Sequence, residues 1–383
     1  MTVPIRERGV RLGAANLTEL EIRAERAGLN LADGHARQPL TPAQEAIVDR
    51  LPELFRTARR GIVPDLDREA QETYLSALGQ HTALTSAEIL SCYSSSVAME
   101  ILARAASAAG LRRVGLIHPT FDNIPDILRG VGLDLAAVPE SVLHTADTGA
   151  APEVDVLFVT TPNNPTGAVL EEDALARWAA WCAEHGVVLA LDTSFRAFDP
   201  RAQYDHYRVL VESGAEWVVI EDTGKVFPSL DLKVGFLAYA RGGRLPLWRI
   251  YTDILLGVSP AILCLVTALA RDGAAGGIAA LHGLMAHHRA VLHAVLPAPA
   301  YHWPDPGNRI SVERLVLPVG LEADRVCADL RARDVHVLPG GHFHWADPAA
   351  GAGYLRIALS RPEKDVTLGA EIIRDYLEAA TGR

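Results

Sequence analysis

Val218-Val219-Ile220-Glu221-Asp222-Thr223-Gly224-Lys225 is the stretch on which the reading of the fold turns. An apolar, β-branched run ends in acidic and hydroxyl residues, and a glycine turn then carries one lysine, which predicts a buried strand running into a hinged loop. Leu230-Asp231-Leu232-Lys233-Val234-Gly235 follows closely and brings a second lysine. A lysine at a strand's end, away from any solvated helix face, sits where a Schiff-base lysine would be placed. Such a lysine must lose its proton to attack a carbonyl, so it needs partial desolvation or a neighbouring positive charge, for which Lys233 is a candidate. Taken alone, a lysine after a strand is more often an ordinary surface residue.

On either side of this stretch the chain alternates between short apolar runs and helix-compatible segments. Ile89 to Tyr93, Val114 to His118, Val154 to Thr160, Val187 to Asp192, Trp217 to Asp222 and Val234 to Tyr239 read as strands. The alternation predicts an α/β fold with a mostly parallel sheet covered by helices on both faces. Polar residues stand where these runs stop, and in open α/β sheets ligands bind beyond the carboxyl ends of the strands. A long helical region is expected around Leu245 to Val295, and the composition then changes at Leu296-Pro297-Ala298-Pro299. A strand over Arg314 to Val319, a helix over Leu321 to Asp334, strands over Val335 to Leu338 and Tyr354 to Ser360, and a helix over Glu363 to Ala379 read as a smaller α+β unit. At the other end, residues 1 to about 15 are basic and irregular, a short helix ends near Gly28, and Asn30 to Pro39 fits neither regular period. A helix is expected from Pro42 to about Ala58. The expected organisation is an N-terminal arm over 1–45, a large α/β domain over 46–290 and a small α+β domain over 291–383.

At 383 residues the chain exceeds what one hydrophobic core usually serves, and 49% apolar residues can fill two. A net charge of −11 argues against nucleic acid or an anionic membrane as partner and leaves a cationic or zwitterionic small molecule plausible. Cys92, Cys182, Cys264 and Cys327 have no paired spacing for zinc or a disulfide framework, so no metal is expected and reduced thiols are the simplest account. The N-terminus has no apolar signal-like core, and the longest apolar run, near Ala261 to Ala270, is too short and interrupted for a bilayer. A cytoplasmic protein is the expectation.

Three more clusters bear on chemistry. Ser94-Ser95-Ser96 follows a predicted strand and opens a predicted helix, which offers hydroxyls and backbone N–H groups to a phosphate, although an ordinary serine N-cap has the same pattern. Thr161-Pro162-Asn163-Asn164-Pro165-Thr166-Gly167 makes an irregular turn at a strand end and holds Asn164 in one place. Asp192 ends an apolar strand where a carboxylate is costly to bury without a partner, and a pyridinium nitrogen would be one.

With Asn164, Asp192 and Lys225 each ending a successive predicted strand, the sequence resembles the pyridoxal-phosphate enzymes of the aspartate aminotransferase fold, fold type I, from about Glu45 to the C-terminus. The resemblance implies a seven-stranded-type sheet, Lys225 as the Schiff-base lysine, Asp192 on the ring nitrogen and Asn164 on the ring oxygen. It also implies Ser94, Ser95, Ser96, Thr223 and Lys233 around the phosphate, Phe121 stacked on the ring and Arg356 on the substrate α-carboxylate. Phe195 departs from the common pattern: many transaminases carry a tyrosine there, three residues after the ring aspartate, and phenylalanine has no hydroxyl to donate.

Ala32-Asp33-Gly34-His35-Ala36-Arg37-Gln38, taken with the serine cluster, His118-Pro119-Thr120-Phe121-Asp122, Asp192-Thr193-Ser194-Phe195 and the Lys225 stretch, closely resembles a smaller subgroup. These are the oxygen- and pyridoxal-phosphate-dependent L-arginine hydroxylases and oxidases. The resemblance implies a homodimer and an N-terminal lid with Thr18, Glu21 and His35, in which Glu21 and Asp222 face the substrate guanidinium. It further implies that L-arginine and O2 are the substrates, that Lys225 moves the Cα proton, and that His35 places or activates the water that adds at Cγ. The products would be 4-hydroxy-2-oxo-arginine with 2-oxo-arginine, ammonia and H2O2. A desaturating oxidase and an ordinary aminotransferase remain as alternatives. Thr18 and Glu21 also fit a plain S/T-x-x-E capping box, and His35 beside a glycine also fits a solvated loop residue.

Overall fold

The apolar runs pair edge to edge in the computed structural model, which describes residues 15–382. The basic stretch before residue 15 lies outside them. One sheet has the strand order Ala87–Cys92, Gly235–Ala240, Trp217–Asp222, Val188–Asp192, Val156–Thr160, Arg113–His118, Asp134–Pro139. All neighbours are parallel except Gly235–Ala240, which is antiparallel to both of its own. Every residue of the three central strands is buried, which is why they read as unbroken apolar runs. The sheet is therefore the mixed, mostly parallel, seven-stranded sheet of fold type I, flanked by helices. Its seventh strand, Asp134–Pro139, was not expected. It is an edge strand of mixed burial, so its apolar signal is diluted.

Register lines up the chemistry. Thr160 lies opposite Asp192 and Asp192 opposite Ile220, so the carboxyl ends of three central strands are level. The reversed strand returns the chain to the same edge, with Gly235 opposite both Asp222 and Cys92. Lys233 is thereby delivered next to the start of the Ser95–Ala108 helix. Gly235 makes this approach possible, because a Cβ there would lie 2.5 Å from the Ser94 carbonyl carbon.

A three-stranded antiparallel sheet of Leu338–Pro339, Tyr354–Ala358 and Val312–Val316 forms the second, smaller layer, with the Glu363–Thr381 helix in the same segment. The N-terminal segment is stitched to it. Leu29–Asn30 pairs in parallel with Val335–His336, Ala358 N–H donates to Leu31 O, and Arg37 N–H donates to Ser360 O. Helix boundaries differ from expectation where proline intervenes: the single helix expected from Pro42 forms as Pro42–Asp49 and Leu51–Arg60, with Pro52 opening the second. The long helical region divides into Leu247–Ile254, Pro260–Asp272 and Ile278–Val295, the last two joined by a π turn in which Gly276 has φ 125°. Taken together, Pro260–Val295 is long and apolar enough by length and composition to cross a membrane, longer than the run read from sequence, and 44% of its most apolar window is buried inside the protein.

Candidate active site

A cavity of about 310 Å³ opens at the carboxyl edge of the large sheet. Lys225, Asp192, Asn164, Phe121, Lys233 and the three serines Ser94, Ser95 and Ser96 line it, and Thr18, Glu21, His35 and Asp222 complete its wall. Thus twelve of the fourteen residues singled out from sequence meet there; Thr223 and Arg356 do not line it. A second cavity, of about 270 Å³, lies behind Val226 and Phe227, but its lining is mostly apolar and it contains none of these residues.

At the sheet edge, Asp192 is buried and accepts both the amide and the hydroxyl of Ser194, at 3.0 and 2.5 Å. Burial pushes its carboxyl up to about 6, with the Asp222 charge adding to the rise against the Ser194 bonds. Asn164 projects an Oδ1 that is buried with no partner. The Lys225 Nζ lies 5.8 Å from the centre of the Phe195 ring, so the aromatic that replaces the expected tyrosine walls the lysine with carbon. Ser94 caps the helix through Val97 N–H and Ser96 accepts from Asn123. The phosphate reading therefore acquires its bland companion: Ser94 is also a genuine N-cap.

Asp222 is committed more heavily than the resemblance implied. Its Oδ2 accepts the amide and hydroxyl of Ser95 at 3.1 and 2.7 Å, and its Oδ1 accepts Gly224 N–H at 2.7 Å. Burial works against its charge, but Lys225 and Lys233, the Ser95 bond and His35 hold its carboxyl below the usual range. With three donors already seated, it keeps one lone-pair position for a further donor. Thr223 does not line the cavity, and its Oγ1 accepts Val234 N–H at 2.9 Å, tying the lysine turn to the reversed strand.

The arm forms the opposite wall. The Leu17–Ala24 helix is capped by Asn16, whose side chain accepts Glu19 N–H, so Thr18 and Glu21 are not a capping box and both turn to the cavity. Glu21 instead accepts from Arg356 Nη2 at 3.0 Å, with Arg356 fully buried. Arg356 Nε and Nη1 have no partner. Gly34 lies over them: a Cβ there would be 3.2 Å from Arg356 Nη1 and 4.0 Å from Lys225 Nζ, so a side chain would intrude between the two. His35 is no solvated loop residue. Its Nδ1 meets Asp33 at 2.6 Å and its Nε2 meets Lys233 Nζ at 2.7 Å.

A half-buried amine, a desolvated carboxylate at a strand end, an amide side chain and a helix start converge on one cavity, and the comparisons with known proteins agree with that arrangement. The sequence model of the family described as aminotransferase class I and II matches residues 27–373. The chain belongs to this family. Its cofactor is pyridoxal 5'-phosphate. Among solved structures, that of MppP soaked with the product 2-ketoarginine is 50% identical, with a TM-score of 0.87 over 91% of this chain and 99% of that one. Among curated relatives, a histidinol-phosphate aminotransferase of Streptomyces avermitilis is 30% identical over 45% of this chain and 49% of its own length. The 3-methylarginine biosynthesis aminotransferase ArgM of Streptomyces arginensis is 34% identical over 27% of this chain and 28% of its own. The chain spans about half the length, or less, of these two curated relatives.

The residues fit the cofactor. Asp192 needs a cation, the Asn164 side chain brings an amide donor to the same cavity, and Lys233 with the helix start offers positive potential for a phosphate. The Asp192 shift also has a stability consequence. A carboxyl raised from 3.8 to about 6 in the folded protein makes folding more favourable below pH 3.8, and that contribution is lost as pH rises through about 6. Asp192→Asn is therefore expected to stabilise the cofactor-free protein near pH 7, by up to about 3 kcal/mol, while removing the group that partners the ring nitrogen. Denaturant titration of the cofactor-free parent and variant at pH 4 and pH 7 checks this; a variant less stable than the parent at pH 7 contradicts it.

Three groups that sequence reading left without roles prove central. Asp33 and Arg361 hold the arm, and a buried pair, Arg196 with Glu221 at 3.0 Å, lies behind the strand that ends at Asp222. Glu221 also accepts from Tyr207, and Arg196 Nη1 meets His206 Nδ1 at 2.5 Å. A charged residue inside an apolar strand was the visible sign of this pair.

Proposed function

We propose that this protein oxidises L-arginine with dioxygen, giving 4-hydroxy-2-oxo-arginine together with 2-oxo-arginine, ammonia and hydrogen peroxide. The observation that carries the reading is the Glu21–Arg356 pair, in which Glu21 lines the cavity and Arg356 lies buried directly behind it. Arginine brings one group for each partner: its carboxylate suits the unused Nε and Nη1 of Arg356, and its guanidinium suits Glu21. One internal ion pair is thus exchanged for two, which a substrate lacking either charge cannot do. The likeness to MppP, a structure soaked with 2-ketoarginine, supports the same substrate class.

Two-electron oxidation consumes one O2 and one water and yields 2-oxo-arginine, ammonia and one H2O2. Hydroxylation at Cγ consumes a second O2 and a second water and yields a second H2O2. Pyridoxal phosphate, when bound, supplies the electron sink for the broken Cα–H bond. Lys225 is the base for the Cα proton, since its amine lines the cavity beside the Phe195 ring whereas Lys233 is held by His35 and Asp231. Asp192 keeps a positive charge at the ring nitrogen by holding its own negative charge in a dry site. Phe195 and the arm backbone at Gly34 exclude water from the lysine. His35 is the group that takes a proton from the water added at Cγ.

Family membership and the resemblance to ArgM favour a second reading, an arginine aminotransferase. Incubation with arginine under air and under argon separates the two. Turnover that requires air, with no added 2-oxo acid, is the expected result; equal turnover under argon with a 2-oxo acid establishes the aminotransferase. Homodimerisation is part of the same proposal, and a monomeric mass for the fully active enzyme contradicts it.

A further inference from the structure

The arm residue Asp33 has an environment that its sequence position does not explain. It is 3% exposed, and its Oδ1 accepts two hydrogen bonds from one residue, the His35 amide at 2.9 Å and the His35 ring at 2.6 Å. Its Oδ2 accepts from Arg37 Nε at 3.0 Å. The backbone around it is equally held. Arg361 donates through Nε to Asn30 O at 2.5 Å, through Nη1 to His35 O at 3.0 Å and through Nη2 to Asp33 O. One buried guanidinium therefore gathers three carbonyls of the arm and sets the turn on which Asp33 and His35 stand.

The two neighbours of the His35 ring leave one arrangement of its protons. Burial works against the Asp33 charge, but the His35 bond and the charges of Lys225 and Arg361 hold its carboxyl well below the usual range, so it can only accept. Lys233 Nζ, 2.7 Å from Nε2, can only donate. Nδ1 carries the proton and Nε2 carries the lone pair.

We propose that Asp33 is a positioning residue that locks His35 in the Nδ1–H tautomer and so presents Nε2 to the cavity as its proton-accepting atom. The proposal rests on the reading that His35 meets the water added at Cγ. In that step the water oxygen bonds to Cγ, the Cβ–Cγ double bond left by the second O2-consuming oxidation gives up its π pair toward Cα, and one water proton passes to Nε2, while Asp33 steadies the charge that develops on the ring. Lys233 retains Asp231, at 3.0 Å, when Nε2 turns to water.

The test is nitrogen-15 spectroscopy of the histidine-labelled holoenzyme, with the His35 signals assigned by their absence from His35→Gln. In the parent, Nδ1 is expected as the protonated nitrogen and Nε2 as the bare one. Asp33→Ala should populate both tautomers, and Asp33→Asn, whose amide oxygen still accepts, should restore the parent pattern. A parent with the proton on Nε2, or an Asp33→Ala protein with an unchanged tautomer, overturns the proposal. The parent spectrum alone decides it if the variants fail to fold. Product analysis at matched oxygen consumption addresses the underlying reading separately. Asp33→Ala should lower the ratio of hydroxylated to unhydroxylated product by about tenfold. A shifted tautomer with an unchanged ratio removes His35 from water addition and leaves the Asp33 assignment standing.

Discussion

Lys225→Ala is expected to lose turnover of arginine by at least about 10⁴-fold and to lose the visible absorbance of the lysine-bound cofactor. The effect should be this large because nothing can substitute. The chain has three lysines, Lys225, Lys233 and Lys364, among 36 basic residues. Lys364 sits on the C-terminal helix, far along the chain from the lysine turn, and Lys233 is held at 2.7 and 3.0 Å by His35 and Asp231. Borohydride treatment followed by peptide mapping is the measurement. An adduct that survives in the Lys225→Ala protein would place the covalent amine elsewhere.

Glu21→Gln should have the second largest effect. It keeps the size and one acceptor for Arg356 while removing the carboxylate that, among the described residues, pairs with that buried guanidinium. In the complex the substrate guanidinium would then face an amide in place of a carboxylate, and losing one partner of a desolvated charge pair costs about 3 kcal/mol or more, a factor of over 100. The loss is expected in kcat/KM for arginine. Citrulline, which matches arginine in shape without the charge, should be turned over no worse by the variant than by the parent. Equal losses for the two substrates would mean that Glu21 acts only by seating the arm on Arg356.

Much of this site was legible because strand ends in a parallel sheet announce themselves. Val188–Asp192 and Trp217–Asp222 are apolar until their last residues, so Asp192 and Asp222 stand out as charges without an evident partner. The lysine turn is just as plain, and lysine's scarcity was a further signal that motif reading passed over. What the sequence hid was mostly partnership. Thr18 and Glu21 have capping spacing, but Asn16 takes the cap because its side chain reaches Glu19 N–H first, and this frees Glu21 to meet a residue 335 positions away. Asp33 and Arg361 have no periodic context, since their value lies in carbonyls and a ring that only the folded arm brings together. Thr223 resembles a phosphate hydroxyl, and its second partner, the Val234 amide of a neighbouring strand, is visible only in the folded turn.

The arm's backbone also sets a clock. Ala36 N–H donates to Gly224 O at 3.2 Å and Arg37 N–H donates to Ser360 O at 3.1 Å, so one amide is tied to the lysine turn and the next to the smaller layer. Moving the arm away from the cavity breaks both bonds. Their deuterium uptake reports the free energy of that opening, and its rate where every opening leads to exchange. A slow uptake would make the arm, more than the chemistry at Lys225, the part of this protein that sets how often it turns over.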